Sequence, residues 1–106
     1  MNKSKLKEIL SKRKSLDPND DYSTYDCWTQ EINILSANIQ ETTTFLENEC
    51  TDEEFYWLSE IFEDIAYNTQ SKEFINCLKN RLNKISDKNL IKSIQTDIEF
   101  AESNIE

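Results

Sequence analysis

The stretch TDEEFYWLSEIFEDIAY, Thr51 to Tyr67, decides how this chain is read. On a helical wheel, Phe55, Leu58, Ile61, Phe62, Ile65 and Ala66 share one apolar arc, as an amphipathic helix requires. Its start is specified locally. Thr51 followed by Glu54 makes a capping box, and Asp52 and Glu53 favour the positive end of the helix dipole. The opposite arc carries Glu53, Glu60, Glu63 and Asp64, which suit solvent, but also Tyr56, Trp57 and Tyr67. Three large rings among carboxylates ask for a reason beyond solubility.

Outward from this helix, periodicity predicts an all-α, single-domain bundle of about five antiparallel helices in the 106 residues. A basic N-terminal helix over 1–14 docks through Leu6, Ile9 and Leu10, and the turn-forming SLDPNDDYS ends it. A second helix is expected over 24–48. There Tyr25, Trp28, Ile32, Leu35, Ile39, Thr42 and Leu46 recur at spacings of three and four as an inward seam, leaving Asp26, Glu31, Glu41 and Glu47 outside. The β-branched run Thr42 to Thr44 is where this helix is expected to end or distort. The third spans 51–68, with Asn68 as a left-handed stop. Two more, 71–84 and 87–104, turn Phe74, Ile75, Leu78 and Leu82, then Leu90, Ile91, Ile94, Ile98 and Ala101, inward.

Composition removes whole classes of function. Glycine is absent and Pro18 is the single proline, so there is no Walker-type phosphate loop and no dinucleotide fingerprint. Histidine is absent too, which excludes histidine-activated nucleophiles, histidine general bases and two-histidine zinc sites. Cys27, Cys50 and Cys77 are odd in number and lack a Cys-x-x-Cys spacing, so they read as reduced thiols. Asp17, Asn19 and Asp21 resemble the start of a calcium loop, but Tyr22 and Trp28 stand where glycine and a bidentate glutamate belong. Neither cofactor nor metal is expected, and no enzyme. MNKSKLKEILSKRK lacks the apolar core of a secretory signal, and no stretch reaches about 18 apolar residues, so a cytoplasmic location is expected.

The net charge of −9 is segregated. Residues 1–14 hold six lysines and arginines and one acid, residues 71–106 hold six of each sign, and residues 15–70 hold fourteen acids with no lysine or arginine. Solubility needs net charge but not a one-signed block, whose self-repulsion disfavours the folded state. Such a field accelerates association with a basic protein surface and repels nucleic acid and anionic membrane.

The candidate partner-binding residues are therefore Glu53, Tyr56, Trp57, Glu60, Glu63, Asp64 and Tyr67. Rings supply contact area at low entropic cost and carboxylates supply steering and register. A plainer reading stays open, in which Tyr56 and Trp57 lie under the N-terminal helix as a second layer of core, with that helix docked beside the acidic body.

From the acidic-aromatic DEEFYWLSEIFEDI onward, Thr51 to Lys84 resembles the small bacterial immunity proteins of contact-dependent growth inhibition and related polymorphic toxin systems. The resemblance implies a cytosolic non-enzyme, monomeric in a 1:1 complex, that binds and neutralises a cognate toxin domain with a basic surface. Many such toxins are nucleases, whose sites are basic because they hold phosphate. The alternative from another class is an acidic helical adaptor or regulator that binds a basic protein without inhibiting a toxin.

Overall fold

The computed structural model describes residues 1–106, of which 79% are helical and none is in a strand. Seven α-helical segments follow one another: α1 (Lys3–Ser15), α2 (Asp21–Ser36), α3 (Ile39–Asn48), α4 (Asp52–Leu58), α5 (Phe62–Thr69), α6 (Lys72–Leu82) and α7 (Lys88–Ser103). A 3₁₀ turn, Ser59–Ile61, joins α4 to α5, so that the two make one bent rod.

The capping box of α4 is formed as its residues dictate. Thr51 Oγ1 accepts from the Glu54 N–H at 3.1 Å, and the Thr51 N–H donates to Glu54 Oε1 at 2.9 Å. After Leu58 the helix tightens. The Ser59 hydroxyl donates to the Tyr56 carbonyl at 2.6 Å, a local bond that competes with regular helix geometry. Phe55, Leu58, Ile61, Phe62, Ile65 and Ala66 are all fully buried, and Phe55, Phe62 and Phe74 stack in series at centroid distances of 5.1 and 6.1 Å.

The single helix expected over 24–48 is two helices. The break comes at Ala37 and Asn38, before the threonine run, because Asn38 caps α3: its side chain accepts from the N–H groups of Gln40 and Glu41. Buried Thr42 then donates its hydroxyl to the Leu35 carbonyl at 2.7 Å, satisfying a group left unpaired at the end of α2. With the rod divided, a straight seam from Tyr25 to Leu46 does not exist. Tyr25 is 69% exposed, whereas Glu31, expected outside, is completely buried beside Cys27 and Leu35 on the inward face of α2.

The left-handed stop after α5 falls on Gln70, at φ 50°, instead of Asn68. Its side chain offsets that backbone cost by fastening α5 to the end of α7: Nε2 donates to the carbonyls of Tyr67 and Asn104, and Oε1 accepts from the Glu106 N–H.

Packing joins α1 to α2, α3 to α6, and α7 to both α5 and α6, with α2 also resting on α5. The shared core holds twenty residues, including Leu6 and Leu10 of α1 and Ile94, Ile98 and Ala101 of α7. Arg81, near the end of α6, is buried and reaches across to the end of α3. It donates to the carbonyls of Leu46 and Cys50 and to Asp52 Oδ1, with its guanidinium 5.4 Å from the Phe55 ring. No helix is long and apolar enough to cross a membrane.

Candidate functional site

The seven candidate residues divide into two groups, and α1 makes the division. Its cations stand along the face that meets the acidic body. Lys3 pairs with Glu49, Lys7 with Glu54, Lys14 with Glu53 and Arg13 with Glu60, while the terminal ammonium of Met1 pairs with Glu41. Together with Asp52, held by Arg81, six of the fourteen acids in residues 15–70 are neutralised within the chain. Glu53 and Glu60 thus already hold a cation.

Arg13 is the centre of this contact. Its Nε and Nη2 donate to the two oxygens of Glu60 at 2.8 and 2.9 Å, and its guanidinium lies 5.1 Å from the Trp57 ring and 5.9 Å from the Trp28 ring. Arginine alone provides a planar fork that serves both a bidentate carboxylate and aromatic faces. The bond to Glu60 raises the Arg13 pKa further against the opposing effect of burial. Trp57 and Tyr56 are both half-buried, touch the core and meet edge-on at 5.8 Å, with Trp57 against Arg13 of α1.

Beneath lies a carboxylate that no reading of the sequence placed there. Glu31 is fully buried with neither oxygen hydrogen-bonded, close to Arg13 and Glu60, and the Trp28 indole N–H is also buried without a partner. Burial, assisted by the Glu60 charge and opposed by Arg13, pushes the Glu31 pKa up to about 8. At neutral pH it is therefore mainly protonated.

Glu63, Asp64 and Tyr67 form the second group. They lie exposed on α5, Tyr67 at 66%, and neither carboxylate enters an ion pair. Partial burial and the neighbouring Glu63 charge raise the Asp64 pKa, the mark of a carboxylate with no cation beside it. The packing of α7 on α5 extends this face with residues that sequence reasoning missed. The Asn104 amide donates to the Glu63 carbonyl, which fixes the register, and Phe100, one turn earlier, is 54% exposed. Asp97, a turn before that, is raised by burial and, less strongly, by the charges of Glu60 and Glu63, against the lowering effect of the Ser59 side chain. A groove of about 260 Å³ at this edge is lined by Asp97 and Ser93 of α7, with Tyr56, Trp57, Ser59, Glu60 and Arg13 opposite. No wheel of one helix shows Asp97 and Phe100 beside Glu63, since 34 or more residues separate them and only tertiary packing brings them near.

The three cysteines are buried and unpaired, and burial pushes Cys77 up to about 12, so none is an activated nucleophile. No group of three or more cysteine or carboxylate side chains is placed to hold a metal ion. No protein-family model, curated protein or solved structure matches the chain.

Proposed function

We propose that this protein is an immunity protein that binds a bacterial toxin domain with a basic surface, a nuclease foremost, and neutralises it through its acidic-aromatic helical face. The observation that carries this is the edge where α5 packs on α7: Glu63, Asp64 and Asp97 enter no ion pair within the chain, and the same two helices expose the rings of Tyr67 and Phe100. Acids under mutual repulsion gain when a lysine or arginine arrives, and the rings supply apolar area that water covers poorly. Tyr56, Trp57 and Glu60 border the same groove, so the residues tied to α1 support this face from behind.

The absence of histidine and the inert thiols fit a role in binding, without chemistry of the protein's own. Co-expression with the C-terminal domain of the immediately upstream open reading frame, where that domain alone arrests growth, tests the reading: rescued growth supports it. Unrescued growth, with both proteins present and folded, removes it for that toxin.

A further inference from the structure

We propose that the exposed face at the start of α2, built on Tyr22 and Tyr25, is a second docking surface for a basic protein. This rests on the reading above only in taking the partner to be basic and a protein. Tyr22 is 84% and Tyr25 69% exposed, the two most exposed large hydrophobic side chains in the chain. One helical turn sets them side by side, with Asp21 and Asp26 flanking them on the same outward arc, opposite buried Glu31. Together the rings present roughly 300 Å² of surface, an anchor within an interface of about 800 Å² per partner.

Charge selects the occupant. Asp17, Asp20, Asp21 and Asp26 enter no ion pair, although the cations of α1 neutralise the acids of α4. Lys12 lies near enough to contribute to lowering Asp20, after the larger effect of the Ser23 N–H, yet forms no pair with it. Nucleic acid and an anionic membrane are negative throughout, and a second copy of this chain carries a net charge of −9. A protein surface carrying arginine or lysine around an apolar centre fits both the rings and the acids.

The face is also held ready. Asp17 Oδ1 accepts from the Asn19 N–H at 2.8 Å, Asp20 Oδ1 from the Ser23 N–H at 3.0 Å, and Asp26 Oδ2 from the Gln30 amide at 2.9 Å. Asp17 and Asp26 each keep a second carboxylate oxygen for a partner, while Asp20 is engaged by both the N–H and the side chain of Ser23. Pro18 restricts the turn between Asp17 and Asp20, so the backbone of this stretch has little freedom to lose on docking. Caps alone explain Asp17 and Asp20, but they leave the two outward tyrosines unexplained.

The test is a titration of the isotope-labelled, full-length protein with a synthetic amidated peptide of alternating arginine and leucine at physiological salt, followed by amide chemical shifts. Shifts concentrated on Asp17 to Thr29, with Tyr22→Ser/Tyr25→Ser raising Kd at least tenfold and leaving the melting temperature unchanged, support the proposal. Shifts confined to Glu63–Tyr67 and Asp97–Phe100, shifts spread over every acidic stretch, or a double variant that binds as tightly as wild type would overturn it. Binding at α2 by a protein that neutralises no toxin would remove the immunity role while leaving this surface in place, so the two readings fail separately.

Discussion

The Arg13 guanidinium and the Glu60 carboxylate meet in a two-bond fork, 2.8 and 2.9 Å long, at the point where the basic helix lies on the acidic body. Both side chains are about four-fifths buried, so this pair is screened far less than the other α1 contacts, in which at least one partner is well exposed. Replacing Arg13 by lysine keeps the charge but loses the fork and the stacking between Trp28 and Trp57. The expected loss is about 1–2 kcal/mol in chemical denaturation, with a coupling of similar size in a double-mutant cycle with Glu60→Gln. A coupling indistinguishable from zero would show that the fork adds nothing to stability.

Glu31 makes stability depend on pH in a direction opposite to that of a paired acid. Its folded pKa, about 8, lies above the ordinary carboxylate value, so below that ordinary range both states are protonated and no penalty applies. As pH rises towards 8 the unfolded chain releases this proton first, and stability falls by up to about 1.4 kcal/mol per pH unit. Glu31→Gln is expected to match wild type near pH 4 and to exceed it by at least ~2 kcal/mol at pH 8. Equal stability of the two proteins across that range would refute the buried, unpartnered placement.

Trp57 and Tyr67 should separate folding from binding. Trp57 packs on the core beneath Arg13, so Trp57→Ala is expected to cost about 2 kcal/mol of stability. Tyr67 is exposed, so Tyr67→Ala should leave the melting temperature within experimental error and appear only as weaker partner binding. Thermal melts of the two variants, read beside their affinities, distinguish the roles.

Arg81 caps α3 from a different helix, and its removal leaves the Cys50 carbonyl and Asp52 without this donor and the Leu46 carbonyl with only the weak Cys50 thiol. Arg81→Met is expected to destabilise by about 3 kcal/mol, visible as a lower denaturation midpoint with unchanged slope.

Much of this architecture was legible in the chain itself. The capping box at Thr51, the apolar arc from Phe55 to Ala66 and the docking stripe of α1 follow from local rules, because neighbours along the sequence supply every group involved. The division of α2 from α3 was hidden: the three-and-four spacing runs straight through Asn38, and only the cap geometry shows that this asparagine starts a new helix. Glu31 was misplaced for a related reason. A wheel assigns a carboxylate to solvent, and it cannot register that α1 lays Arg13 over that part of α2. Two of the four carboxylates of the candidate face were altered in the same way, since Glu53 and Glu60 are answered by cations some forty residues away in sequence. Phe100 and Asp97 join the remainder only through the packing of α7 on α5.

That redistribution changes which charges report on binding. Glu60→Lys would break the Arg13 fork and confound stability with association, whereas Glu63→Lys and Asp64→Lys touch no internal pair. These two substitutions are expected to slow association and flatten its salt dependence while leaving the dissociation rate nearly unchanged. Stopped-flow association at several ionic strengths checks this.

The role of the α5–α7 face is tested most directly by the affinity of the wild-type protein and Tyr67→Ala/Phe100→Ala for the C-terminal domain of the immediately upstream open reading frame, measured at low and high salt. Toxin recognition through this face predicts 1:1 binding at or below about 1 nM for wild type, some 12 kcal/mol, and a loss of at least ~2 kcal/mol for the double variant at both salt concentrations. Tight binding that the double variant leaves untouched would contradict the assignment of the α5–α7 face, and no binding at either salt would contradict toxin recognition itself.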